Sequence, residues 1–277
     1  MMCSFTRLRL DHGVSSLVWG CALQTSPPSP MLKTMDDATE LKNMYIHDAS
    51  NVLKKLYEDY KDKGLVSLYL WGSITRDDWK PGVSDIDSLA IVDRSVDPDF
   101  AATLKERVKY EFPHAIKFGI QLFGIEELHG EAPYTTLARY QPAGYLLLRF
   151  NDWIHVAGEK FNRSDFTVED FTAQEARTHQ LNQAVHALKI VSGELPIDPA
   201  RSSGMQSMVQ DVVKGAIGAL YWEAVESGYS ERLNYALLPN ILAKDRQRLA
   251  TRLVEIRETN AYVPESVLAL RDEIESL

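Results

Sequence analysis

Cysteine is nearly absent: Cys3 and Cys21 are the two in 277 residues, and both lie near the start. That rules out a disulfide framework and a zinc–thiolate spacing, and it suits a reducing compartment, so a cytoplasmic location is expected. No run reaches the ~18 apolar residues that a membrane-spanning helix needs, so no membrane partner is expected. Basic residues are in deficit, 30 Lys and Arg against 39 Asp and Glu, for a net charge of -9. Long nucleic acid requires a basic surface and is therefore an unlikely partner on charge grounds; a small molecule suits the chain better. No Walker loop, dinucleotide glycine fingerprint, zinc spacing or internal repeat occurs. What remains is a globular composition, 45% hydrophobic and 25% charged, and enough length for two ordinary domains or one large one.

Residues 1–34 differ from the rest. They are rich in Ser, Thr and Pro, with a short apolar patch interrupted by Ser15 and Ser16. The expectation is a disordered leader, with Met31, Met35 and Met44 as further candidate starts. A helix follows from Asp36-Asp37 to about Lys63, with Leu41, Met44, Val52, Leu53, Leu56 and Tyr60 at helical spacing and Gly64 closing it.

The most informative stretch is Leu68 to Val92. Leu68, Tyr69, Leu70 and Trp71 suit a buried strand that ends at Gly72-Ser73. Gly72 tolerates backbone angles closed to other residues, and the turn after it can aim N–H groups at an anion. Pro81, Gly82 and Ser84 mark a loop, and a second strand runs through SDIDSLAIVD. Alternation on that strand sends Asp85 and Asp87 to the same side. Two carboxylates beside a Gly-Ser turn suit Mg²⁺, which takes oxygen ligands from carboxylates, phosphates and water. Asp-x-Asp is also common on exposed strands, but the apolar Leu89-Ala90-Ile91-Val92 that follows argues for a buried setting, where charge needs a partner or an ion.

A hydrophobic strand ending in Gly72-Ser73, eleven intervening residues, then Asp85-x-Asp87 opening a second strand resembles the nucleotidyltransferase superfamily. Arg76 fits the Gly-Ser-x-x-Arg variant of its small bacterial members. The resemblance covers roughly residues 40 to 160. It implies an α+β fold: a small mixed sheet domain, residues 35–163, followed by a helical bundle, residues 164–277. It also implies that Gly72, Ser73 and Arg76 contact the triphosphate of ATP or another NTP, and that Asp85 and Asp87 hold Mg²⁺ and carry the catalysis. Arg76 has a second reading, an ion pair with Asp77 or Asp78. Lys80 reads as a solvated loop residue.

The family pattern breaks on the third strand, expected over Ala115 to Phe123. Most members carry a third carboxylate there, which deprotonates the attacking hydroxyl. Aligned on Glu126-Glu127-Leu128, the position falls on Gly119; a shift of register would place Lys117 or Gln121 there instead. Glu126, Glu127, Glu159 and Glu223 are formal candidates for the base, and each also reads as an ordinary surface acid. His155, on an expected strand over residues 152–159, reads as a strand-face histidine.

From Thr167 onward the pattern is helical, with candidate helices over 168–193, 204–228, 231–257 and 264–276. Sheet domain plus helical bundle is similar in layout to the aminoglycoside nucleotidyltransferases. Three readings follow. One is transfer of a nucleoside monophosphate, AMP by expectation, to a hydroxyl of a small acceptor such as an aminoglycoside, with pyrophosphate leaving. Another is the same chemistry on a protein or tRNA. The third is a nucleotide-binding protein that has lost catalysis, motivated by Gly119. The oligomeric state, the acceptor and the preferred base of the nucleotide are not legible.

Overall fold

The computed structural model describes residues 35–277 apart from 77, 82–83, 94–95, 97–98, 115, 132–140, 198–203 and 231–233. The expectation for residues 1–34 lies outside the described residues. Lys33–Leu277 forms one compact unit.

Four strands make a mixed sheet in the order β3-β2-β1-β4. β1 (Leu65–Trp71) runs antiparallel to β2 (Ile86–Val92) and to β4 (Ile154–Gly158), and β2 runs parallel to β3 (Phe118–Gly124). The parallel pair needs a crossover, which α2 (Phe100–Glu111) supplies. α1 (Met35–Tyr60) precedes the sheet, and Gly64, in the left-handed region at φ 92°, turns the chain from it into β1.

Side-chain alternation divides the sheet residues between two cores. One side packs Leu68, Leu70, Ile86, Ala90, Ile120 and Leu122 against α1 and α2, chiefly Leu53, Leu56, Leu104 and Val108. The other packs Tyr69, Trp71, Leu89, Ile91 and Phe123 against Leu128 of α3 (Ile125–Leu128), against Leu146 and Leu147 of α4 (Ala143–Leu147), and against Phe161 and Phe166. Both sides of the central strands are therefore dry, which explains their near-continuous apolar runs. Asp85 and Asp87 belong by alternation to the second side, just beyond its apolar part.

The remaining chain is helical. α5 (Ala173–Val191) opens on a capping box in which Thr172 Oγ1 accepts from the Glu175 N–H at 3.2 Å and the Thr172 N–H donates to Glu175 Oε2 at 2.7 Å. This start lies five residues later than the apolar pattern predicts. α6 (Gly204–Glu226) packs along α5; Gly215 lets it approach closely, since a Cβ there would lie 2.9 Å from the backbone of Gln180 and Ala184.

The two last expected helices are each broken. α7 (Leu238–Ile241) and α8 (Lys244–Glu258) are separated by an extended Leu242, whose side chain is buried in the core. α9 (Pro264–Leu268) and α10 (Arg271–Glu275) are separated at Leu270, also buried. In both cases a leucine that fits the helical stripe is delivered to the core by a turn instead. Among the described residues, no helix is long and apolar enough to cross a membrane.

Candidate active site

β1 ends at Trp71, and Gly72 follows at φ 83°, in the region that favours glycine. Ser73–Thr75 then form one tight turn, held by Thr75 Oγ1 donating to the Gly72 carbonyl at 2.9 Å and the Arg76 N–H donating to the Ser73 carbonyl at 3.0 Å. Glycine is required twice over at position 72, because a Cβ there would lie 2.6 Å from Asp87 Oδ2. The Gly-Ser turn and the acid strand are thus in direct contact.

Asp87 is the register partner of Trp71 on one side and of Gly119 on the other. Burial, then the adjacent Asp85 carboxylate, push its carboxyl up to about 7, against the pull of Lys214, Lys117 and Arg76. Burial acts on Asp85 the same way, but Lys214 and Lys117 outweigh it and hold its carboxyl below the usual range. Lys117 Nζ and Lys214 Nζ each lie 3.6 Å from an Asp85 oxygen. Lys117 comes from the residue before β3. Lys214 comes from α6, so the helical part of the chain reaches into the sheet's acidic pair. Among the described residues, no cluster of three or more His, Cys, Asp or Glu side chains is gathered as a ready metal cage. Two carboxylates, one pressed toward neutrality by burial and by the other's charge, fit a divalent cation whose remaining oxygen ligands come from phosphate and water.

Arg76 is buried, with its Nε on Asp78 Oδ1 at 3.0 Å and its Nη2 on Asp78 Oδ2 at 3.2 Å. The expected ion pair with Asp78 is present, as a buried rather than a surface pair. Lys42 of α1 caps the same turn by donating to the Arg76 carbonyl at 2.6 Å. From α8, Arg257 donates to the Asp78 carbonyl at 2.9 Å and has Nη2 4.0 Å from its carboxylate, while stacking 4.4 Å over the Tyr235 ring. Burial and the Asp78 charge raise the Tyr235 hydroxyl's pKa. Lys80, expected to be solvated, is half-buried and paired with Glu258.

The other residues singled out from sequence are scattered. Glu223 is bound by Arg177 at 2.8 Å and Arg246 at 3.3 Å within the helical core's rim. Glu127 is buried in α3, and Glu159 is exposed just past β4. His155 pairs with Tyr69 across β4 and β1, its ring 5.2 Å from the tyrosine ring. Lys214, Arg257 and Tyr235 were missed. The one signal for Lys214 was its lone positive charge within the apolar run of α6.

Residues 50–127 match the family model described as nucleotidyltransferase domain. The match spans the Gly72-Ser73 turn, both aspartates and Gly119. Comparison with curated proteins found no match. Among solved structures, the chain is similar to spectinomycin adenyltransferase AAD(9) from Enterococcus faecialis, whose structure holds ATP and spectinomycin. The TM-score is 0.54 at 11% identity, with 83% of this chain and 99% of that chain covered. At that identity the likeness is one of fold, and it extends beyond the nucleotidyltransferase domain into the helices.

Proposed function

We propose that this protein transfers a nucleoside monophosphate, AMP from ATP, to a hydroxyl of a small acceptor, releasing pyrophosphate. The observation that carries the reading is the contact of Gly72 with Asp87, which sets the Ser73–Thr75 turn against the Asp85–Asp87 pair. The Gly72-Ser73 turn would receive the triphosphate on its backbone N–H groups. Asp85 and Asp87 would hold Mg²⁺, which when bound neutralises charge on the phosphates. Lys214 and Lys117 would swing from Asp85 onto the phosphate oxygens once the cation is in place. Arg76 would act on the phosphates through its charge while Asp78 keeps its fork in position. The acceptor would sit where residues 164–277 face the sheet of residues 35–163, the division into domains we favour. The AAD(9) structure holds a small acceptor with ATP, which supports that class of acceptor here. A cytoplasmic location, where ATP is supplied, belongs to the same reading.

Titration of Mg·ATP into wild type and into Asp85→Asn/Asp87→Asn, followed by calorimetry, tests this. Binding by the wild type alone is expected; equal binding by both proteins would remove the site assignment. A second reading, nucleotide binding without transfer, is favoured by one observation: Gly119 stands beside Asp87 where the superfamily's third carboxylate is expected.

A further inference from the structure

Gly119 fixes what the site is missing. It is the register partner of Asp87, and a Cβ built on it meets nothing within 4 Å. The space beside Asp87 is therefore open, and the strand offers no group to take a proton from an attacking hydroxyl. Such a group is needed, because a neutral hydroxyl is a poor nucleophile and a placed base contributes about 10²–10⁴-fold.

α6 supplies a carboxylate from the opposite direction. Ser207, Gln210, Asp211 and Lys214 are half-buried while Met208, Val209, Val212 and Val213 between them are buried, so the four form one polar stripe at helical spacing. The stripe's direction is set by Lys214, whose ammonium lies 3.6 Å from Asp85. Asp211 is one turn earlier on the same stripe, and its charge acts on Lys214. A helical turn advances about 5 Å, so Asp211 stands on α6 about one turn from the residue that reaches Asp85.

Resting on the transfer reaction above, we propose that Asp211 is the general base, taking from α6 the part that β3 leaves vacant at Gly119. A lone pair of the acceptor oxygen forms the bond to the α-phosphorus. The bond from that phosphorus to the bridging oxygen breaks, and its electron pair leaves with pyrophosphate. The acceptor proton passes to an Asp211 carboxylate oxygen. With water as acceptor the products are AMP and pyrophosphate.

The test compares wild type, Asp211→Asn, Gly119→Asp and the Asp211→Asn/Gly119→Asp double variant. Each is measured for Mg·ATP affinity by calorimetry and for pyrophosphate release with water alone and with spectinomycin as acceptor probes. The expected result is that Asp211→Asn keeps Mg·ATP affinity within about twofold and loses about 10²-fold or more in turnover. The double variant is expected to recover turnover, because the new carboxylate enters the open space beside Asp87. Wild-type turnover in Asp211→Asn overturns the proposal. So does turnover that arises only when Gly119 is replaced, or a wild type that binds Mg·ATP and turns over neither probe. A wild type that fails to bind Mg·ATP instead defeats the transfer reading itself.

Discussion

Asp87 Oδ2 occupies the space that a methyl group on Gly72 would fill, at 2.6 Å from the position of its carbon. The turn and the acidic strand therefore constrain each other, and a change in one is read out in the other.

Gly72→Ala is expected to move the Asp87 carboxylate and to place a non-glycine residue at φ 83°. Backbone strain alone costs about 1–3 kcal/mol. The loss of Mg·ATP affinity should exceed what that strain explains. Calorimetry beside thermal melting checks it: a variant that is destabilised yet binds with wild-type affinity would show that the contact has no part in binding.

Asp78 neutralises two buried guanidinium groups, those of Arg76 and Arg257. Asp78→Ala leaves both without their carboxylate, and removing one partner from a buried ion pair costs about 3–5 kcal/mol. Chemical denaturation should register a loss of this size, whereas Asp165→Ala, at an exposed turn, should cost far less.

Asp87 makes folding proton-linked. Its carboxyl is pushed up to about 7 in the folded protein from an ordinary value of 3.8. Between those values the folded state binds more protons than the unfolded state, so stability falls as pH rises through this window. The shift of about three units bounds the effect at roughly 4 kcal/mol. Asp87→Asn removes the titration, so it should melt higher than wild type at pH 8 and near wild type at pH 4. Parallel pH–melting curves for the two proteins would contradict the assignment.

Lys214→Met is expected to weaken Mg·ATP binding by about 10–100-fold, the worth of a charged hydrogen bond to phosphate. The methionine keeps most of the side chain's packing but leaves Asp85 with Lys117 alone, so melting temperature should fall as well, and affinity is compared at a temperature where both proteins are folded. Unaltered affinity would mean that Lys214 serves Asp85 alone.

Much of the sheet half was legible because its signals are local. Gly72-Ser73, the spacing to Asp85 and Asp87 and the alternation on each strand are all short-range patterns; the family resemblance pointed to Gly119, with Lys117 and Gln121 as alternatives, and the strand register makes Gly119 the partner of Asp87. What was not legible is what arrives from far along the chain. Lys214 and Arg257 sit in helices whose apolar stripes explain them as surface residues, Tyr235 opens a short turn, and nothing local announces that they turn toward Asp85 and Asp78. The helix breaks at Leu242 and Leu270 were hidden for a related reason: a buried leucine satisfies a helical stripe and a turn equally well, and only packing chooses. For Arg76 the sequence offered the Asp78 ion pair as one of its readings, but not that the pair is buried.

The Arg257–Asp78 hydrogen bond joins residues 179 positions apart, and Lys214–Asp85 is similarly distant in sequence. Contacts of such separation form late, because the loop they close must be ordered first. Until α6 docks, Asp85 and Asp87 stand together with Lys117 beside them but without Lys214. The order of folding thus carries a transient repulsion at the centre of the nascent sheet, relieved on docking of α6 and α8. Stopped-flow refolding should consequently be faster at pH 5 than at pH 8 in wild type, and this difference should shrink in Asp87→Asn.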